Sequence, residues 1–583
     1  IIHEFTIDDI FYAEGEVFPS KIIEIGEPAI MRDFRIVNVT VNPFQYNPKS
    51  KELKVITNII FVVNINGTGG NNIKVRKRKI SRFLESLYKA AILNYDEIIA
   101  GREEGYQDPS YLFIYPTVAQ VEHKLQPLVD WKHQKGFEVS TQGFASGTSS
   151  STIKSYIQTA YDTWENPPEF VCLVGDAQGS FNIPTGSYGA GPGDHVYTLL
   201  EGNDILADVF IGRLSFNTIN ELKTIREKIL NYEKEPYMSQ TNWYQQALLV
   251  GDPSLSEYSC IITNKYIKEI IEANASYYNY YEVYYSPFPS QMNNAINYGV
   301  TYFNYRGWLN MSGWGIDDIG NLNNGFMLPV MVFLTCGTGD FTGYSNCESE
   351  YALKVGSPSL PKGAIAAIGT ATMYTHTCFN NCVAAGTFCG IFVDKIYNMG
   401  GALTRGKLNL YESFPNNPNS WVNKFSYWNN LMGDPGMEVW TGIPQELIVT
   451  YDSEVSIGTN FLEVTVENSS GFPLEDAWVT ALMGDDDIFV TGYTDSDGKI
   501  FLPIAADSPG NVNLTVTKHN FIPHLGDFDI IQSDVFINIL EIDIDDDDFG
   551  TSSGNNNGDI NPGEDIELNV SLKNFGILTA SSV

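Results

Sequence analysis

Cysteine is scarce in this sequence: seven in 583 residues, all between Cys172 and Cys389. That excludes a disulfide-framed scaffold, and the odd count leaves at least one thiol unpaired within the chain. Positive charge is scarce too. Lys plus Arg number 35 against 70 Asp plus Glu, a formal charge of −35. This argues against nucleic acid or an anionic membrane as a main partner. It suits a soluble secreted or surface protein, one with carboxylates to spare for Ca2+. No apolar run reaches the length of a transmembrane helix. No signal peptide opens the chain, since Ile1 begins directly on a strand-like segment, so any targeting sequence is expected to have been removed or left out. At the other end, Ser582 and Val583 follow closely on the strand-like ELNVSLKNFG, and the natural chain is expected to continue.

What is present divides into about three or four domains by length alone. Residues 1–80 alternate in period two, as in RIVNVTVNPFQYN and ELKVITNIIFVVNING, which predicts a small β domain with a hairpin around Pro48–Lys51. KVRKRKISR, Lys74 to Arg82, is a basic run in an acidic chain. It reads as a solvated linker, or as a processing site or a contact with an acidic neighbouring domain. Residues 81–110 look helical and then linker-like.

From Tyr111 strands and helices alternate, which predicts a mostly parallel sheet covered on both faces. Two such sets, 111–240 and 241–443, suggest two related α/β halves. EFVCLVGD and ALLVGD are buried strands ending in Gly-Asp. Neither is followed by the Lys-Ser/Thr of a phosphate loop. From 444 helices vanish, and residues 444–532 carry turn residues at sandwich spacing. Residues 533–583 start a further, incomplete β domain. Its acidic loop offers Asp545, Asp547, Asp559 and Glu564 as hard oxygen ligands, without EF-hand spacing. A solvated loop is the alternative.

The stretch that carries chemistry is PVMVFLTCGTGDF, residues 329–341. An apolar run short enough for a buried strand ends at Cys336, on a turn that Gly337 and Gly339 permit. α/β proteins place reactive groups at such strand ends, and the turn's N–H groups can stabilise an oxyanion. A buried structural cysteine is the other reading. Cys378, Cys382 and Cys389 share a predicted helix. Buried thiols or a local disulfide fit them better than a metal, since no zinc-spaced pair flanks them.

Seven motifs fall in one family's order: LVDWKHQKGFEV (128–139), FVCLVGD (170–176), DHVY…GND…DVFIGRLS (194–215), FNYRG (303–307), TCGTGDF (335–341), KGAIAAIG (362–369) and GDP (433–435). In these the chain resembles the gingipain-type cysteine peptidases of the caspase-like clan, over about Tyr111 to Trp440. The resemblance implies an α/β caspase-like double subdomain. It also implies a β-rich propeptide-like domain before it and an immunoglobulin-like β-sandwich after it.

The same resemblance makes Cys336 the nucleophile. The family's imidazole follows the preceding strand in an Asn-Tyr-x-Gly-His-Gly pattern. Here Asn304, Tyr305, Arg306 and Gly307 match, but Trp308 and Leu309 follow. Indole neither accepts nor delivers a proton at neutral pH, so the usual dyad is absent. His376, in the loop MYTHTCFNN that in the family borders the first substrate pocket, is the candidate base. Asp252 roughly matches the acidic residue that orients the family's histidine, with a helix N-cap as the plainer role. His195 is expected to line the cleft. Gly307, Trp308 and Gly337 are the cleft and oxyanion candidates. Tyr258 to Thr263, YSCIIT, offers no carboxylate for an Arg or Lys side chain. No cofactor is implied for catalysis, and Ca2+ is implied as a structural ion. Two functions are in play. One is a secreted or surface cysteine endopeptidase acting on proteins or peptides with a non-standard base. The other is a degenerate homologue that binds other cell-surface components, with Trp308, Trp314 and Tyr344 filling the old cleft.

Overall fold

The structure is a computed structural model that describes residues 7–64, 69–74, 78–100, 105–276, 278–343 and 346–581. His3, residues 75–77 of the basic run, Tyr344, Ser582 and Val583 lie outside them. The chain forms two compact units. One comprises 1–127, 138–232 and 237–442, and the other 128–137, 233–236 and 443–583.

The first unit is built on a ten-stranded sheet. In chain order its strands are β1 (Ser110–Pro116), β2 (Glu138–Phe144), β3 (Phe170–Val174), β4 (Phe210–Leu214), β5 (Gln246–Gly251), β6 (Asn279–Val283), β7 (Tyr302–Arg306), β8 (Val330–Phe333), β9 (Ala366–Thr370) and β10 (Asn429–Met432). Across the sheet they run β6-β5-β7-β8-β9-β10-β4-β3-β1-β2. Pairing is parallel within β1–β4 and within β5–β9, and β10 lies antiparallel to β9. The sets 111–240 and 241–443 therefore share one sheet, in which β4 meets β10 at Arg213 and Met432. Central strands such as FVCLV and VMVF are buried at every position, as expected of a sheet with helices on both faces.

Several motif residues turn out to hold this sheet together. Arg213 is fully buried and reaches both carboxylate oxygens of Asp194 at 2.7 Å, and it also donates to the carbonyls of Gly175 and Ile183. Asp434 of the GDP motif accepts from the Tyr111 hydroxyl and the Gly436 N–H.

The N-terminal domain packs on this unit. The expected hairpin pairs Phe44–Asn47 with Glu52–Val55. The predicted second strand stops at Val55, however, and residues 56–64 make no ladder. Ile60 is 90% exposed. β-branched composition alone does not make a strand where no partner edge is offered. Arg32 is buried, donating to the carbonyls of Pro167, Pro168 and Asp208 and to the Gln107 side chain. Of the basic run, Lys74 and Arg78 both pair with Glu201, and Arg78 also stacks on Tyr161. At Lys74 and Arg78 the run contacts an acidic group of the α/β domain and is not merely solvated.

In the second unit, residues 445–531 form two sheets, one of four strands and one of five. They share a core that includes Val464, Val466, Val479, Leu514 and Phe528. A separate hairpin follows, Ile537–Asp545 with Glu567–Asn574.

Candidate active site

Cys336 stands three residues beyond β8, on a tight turn. The Thr338 hydroxyl closes the turn by donating to the carbonyls of Phe333 (2.6 Å) and Thr335 (2.9 Å). Gly337 has φ of 76°, a conformation that favours glycine. Gly339 lies directly on β9, where a Cβ would come 2.5 Å from the Gly369 carbonyl carbon. The thiol is half-buried, and its sulfur is 3.0 Å from Thr375 Oγ1. The plainer expectation, a fully buried structural cysteine, does not hold at this position.

The proposed helpers of Cys336 are engaged elsewhere. The Gly337 N–H donates to the Thr372 carbonyl at 2.8 Å, so it does not point into an open oxyanion site. His376 caps the helix Thr377–Phe392, its Nδ1 accepting the Cys378 N–H at 3.2 Å. Its ring packs beside Phe379 and Trp421. Thr375 points at the sulfur and His376 follows it in extended backbone. Successive side chains of such a segment face opposite ways, which is why the hydroxyl, and not the imidazole, meets Cys336.

Asp252 caps the short helix Pro253–Ser256, the plainer of its two roles. Its Oδ1 accepts from the Ser254 N–H and hydroxyl, and its Oδ2 from the Ser312 hydroxyl at 2.6 Å, not from an imidazole. Burial pushes this carboxyl up, but the hydrogen bonds from Ser254 and Ser312 outweigh it and hold Asp252 below its usual range. Ser312 also meets the Tyr305 hydroxyl at 2.9 Å.

That network depends on an unusual turn. Asn310, Met311 and Ser312 have φ of 62°, 37° and 57°, each at a cost of about 1–2 kcal/mol for a residue with a Cβ. The turn buries Trp314, whose Nε1 donates to Asn293, in the core against Phe303. Trp314 is thus no cleft residue. Trp308 remains 45% exposed. The Gly307 carbonyl accepts from the Thr335 hydroxyl at 3.2 Å, tying the turn after β7 to the turn that carries Cys336. Met373 and Tyr374, on the segment that covers Gly337, are exposed as well.

Sequence reasoning passed over Arg306 and Thr375. Arg306 is 1% exposed. Its Nε donates to Asn381 Oδ1 at 2.7 Å and its Nη2 to the Thr377 carbonyl at 3.3 Å, while Nη1 finds no partner. Burial pulls the guanidinium below its ordinary value, and the facing Cys260, Tyr305 and Cys336 oppose that. The signal available was an arginine closing an otherwise buried strand, at the variable position of the NYRG match.

The remaining candidates lie elsewhere. His195 is buried, its Nε2 on the Ile205 carbonyl, and burial holds it well below its usual value. It lines a small cavity with Met31 and Lys407 rather than the Cys336 cleft. Cys378, Cys382 and Cys389 are free thiols, so the local disulfide is not formed. The calcium candidates do not converge. Asp545 and Asp547 accept from Ser552 and from nearby backbone N–H groups, and Glu564 accepts from the Asn561 N–H. Asp559 donates its N–H to Asn557. Among the described residues no three His, Cys, Asp or Glu gather into a site that could hold a metal ion. The donor set therefore does not fit an ion.

The family model of Peptidase family C25 matches residues 105–440. The chain belongs to peptidase family C25. The family's propeptide, Propeptide_C25, matches residues 3–100, so the N-terminal β domain of this C25 chain is its propeptide. Gingipain R2 of Porphyromonas gingivalis is 26% identical over 528 residues, covering 87% of this chain and 69% of that protein. Lys-gingipain of the same species is 23% identical over 563 residues, covering 89% of this chain and 31% of that protein. Among solved structures, the Arg-specific cysteine proteinase gingipain R aligns with a TM-score of 0.65 at 23% identity, over 74% of this chain and 99% of that one. The complex of the RgpB pro- and mature domains from Porphyromonas gingivalis aligns with a TM-score of 0.64, over 72% and 100%. At such identity these likenesses establish the fold. Among the described residues no helix is long and apolar enough to cross a membrane.

Proposed function

We propose that this C25 chain is a secreted or surface cysteine endopeptidase that cleaves proteins or peptides through Cys336. The observation that carries the reading is the half-buried thiol on its strand-end turn, in the family's order, with the Thr375 hydroxyl oxygen 3.0 Å from the sulfur. The Cys336 sulfur attacks the peptide carbonyl, and His376 serves as base and then as donor to the leaving amine. For this the segment 373–376 turns so that the imidazole replaces the Thr375 hydroxyl beside the sulfur. We read the exposed Trp308, Met373 and Tyr374 as the rim that receives an apolar substrate side chain, since 258–263 holds no carboxylate for a cation. The 445–531 sandwich is read as immunoglobulin-like, and calcium as a structural ion that the family resemblance implies.

A second reading is a degenerate peptidase that binds other surface components. It is favoured by the Gly337 N–H, His376 Nδ1 and the Asp252 carboxylate, each of which is committed to a local hydrogen bond. Hydrolysis of a quenched peptide set by the full chain separates the two. The endopeptidase reading expects cleavage that is lost in Cys336→Ala and reduced about 100-fold or more in His376→Ala. No cleavage by folded wild type supports the second reading.

A further inference from the structure

We propose that Lys407 is a site of reversible carbamylation by carbon dioxide, in a cavity between the propeptide and the α/β domain. The proposal stands apart from the peptidase reading, since no part of it involves Cys336.

The argument begins with a space. Met31 and Leu87 of the propeptide form part of a cavity whose other walls belong to the α/β domain, among them Ile205, Leu206 and Leu408. It has more room than one water needs. Its lining is mostly apolar, broken by four polar side chains. Lys407 and Tyr411 come from the helix Met399–Ser413, His195 from the segment Asp194–Thr198, and Ser426 from the helix Trp421–Trp428. The hydroxyl of Thr404, also in the lining, is taken up by the Gly400 carbonyl.

Lys407 is buried without an anion. Among the described residues it makes no ion pair, and its one hydrogen bond is to His195 Nδ1 at 3.4 Å. The acid that acts on it is Asp194, whose carboxylate oxygens are both held by Arg213. His195 Nε2 donates to the Ile205 carbonyl, which leaves Nδ1 as the acceptor for the amine. Burial keeps that imidazole neutral, and Lys154 acts on it in the same direction. The propeptide adds only the apolar Met31 and Leu87 to the lining. Burial pulls the Lys407 amine down to about 7, against the pull of Asp194. About half of it is then unprotonated at neutral pH, against roughly one part in 2,500 for an ordinary lysine. A desolvated neutral amine is a nucleophile, and this one borders the cavity. Lys228 shows that burial alone is not enough. Burial pulls it down too, but its amine donates to the carbonyls of Ala352, Leu353 and Ala364, which leaves no lone pair to attack with.

Carbon dioxide is the electrophile that matches this lining, being small, linear and uncharged. The lone pair of Lys407 Nζ forms the N–C bond, one C–O π pair moves onto oxygen, and an N–H proton passes to His195 Nδ1. The products are a carbamate and an imidazolium beside it, so the cavity gains no net charge. The imidazolium keeps its Nε2–H on Ile205 and gives its Nδ1–H to the carbamate. The carbamate oxygens also accept from the hydroxyls of Ser426 and Tyr411, which have no other hydrogen-bond partner among the described residues.

The test equilibrates the full chain with isotopically labelled bicarbonate, the source of carbon dioxide, near neutral pH. Carbamates are trapped by O-ethylation with triethyloxonium and mapped by mass spectrometry. Label is expected on Lys407, rising with bicarbonate, and absent from Lys228 and from the Lys407→Arg variant. Ser426→Ala, which removes one hydroxyl from the carbamate, is expected to lower occupancy by about threefold or more. Folded wild type without label on Lys407 overturns the proposal, and so does equal label on Lys407 and Lys228. If Lys407→Arg does not fold, the comparison of those two lysines in wild type decides alone.

Discussion

At the scale of single residues, Cys336 was legible because an apolar run, a cysteine and two glycines in that order describe a strand end. Its surroundings were not. Which side chain of Met373–Thr377 meets the sulfur depends on backbone that the residue types do not announce. Threonine and histidine are neighbours, and extended geometry presents only one of them. Trp314 misled for a similar reason. Its burial follows from three left-handed residues, Asn310 to Ser312, and only Asn310 among them favours that conformation.

Two outcomes belong to this scale. Ser312→Ala strips a hydrogen bond from both Asp252 and Tyr305, and is expected to cost about 1–3 kcal/mol in denaturant unfolding. Trp308→Ala removes part of the apolar rim. It is expected to raise KM for peptides with a Leu or Phe before the scissile bond, by up to about tenfold, with little change in kcat.

At the scale of elements, alternation and apolar runs located the strands well in 111–440, where each strand is buried between neighbours. They failed for residues 56–64, whose pattern is equally strand-like but which meet no partner. The sequence also shows no sign of how closely elements approach. Gly339 and Gly369 touch backbone to backbone, which sets the Cys336 turn against β9. Gly339→Ala and Gly369→Ala are each expected to destabilise the α/β domain by about 1–3 kcal/mol. Each is also expected to slow Cys336 alkylation, because the turn must lift off the strand. Unchanged unfolding midpoints in both variants would contradict the close approach.

For the whole molecule, the propeptide and the Cys336 thiol are at different ends of the strands. Gln178, past the carboxyl end of β3, donates to the Thr342 carbonyl, and Arg213 near the end of β4 lies 5.2 Å from the Phe341 ring. The carboxyl ends of β3 and β4 thus face the Cys336 turn. Glu169 and Asp208 precede those strands, and they are where the propeptide docks. Asp208 accepts the Arg32 N–H, and Glu169 accepts from Ser81.

Burial raises both of these carboxyls to about 7. A carboxyl raised above its unfolded value binds more protons in the folded state, so its stabilising contribution is complete at low pH. That contribution fades as pH rises through about 7. Propeptide docking is therefore expected to weaken between pH 5 and pH 8. The measurement is amide hydrogen exchange in the helix Glu85–Ala91, corrected for intrinsic rates. Asp208→Asn, which does not titrate, is expected to flatten the trend.

A peptidase built on this chain requires one sulfur, that of Cys336, to be reachable and reactive. The most direct test exposes the full chain to a thiol-directed peptidyl probe with leucine at its reactive end, and maps the adduct by mass spectrometry. The adduct is expected on Cys336, absent from Cys336→Ala, and weaker with an arginine probe. Equal labelling of wild type and Cys336→Ala, or none on folded wild type, would contradict a nucleophile at this position.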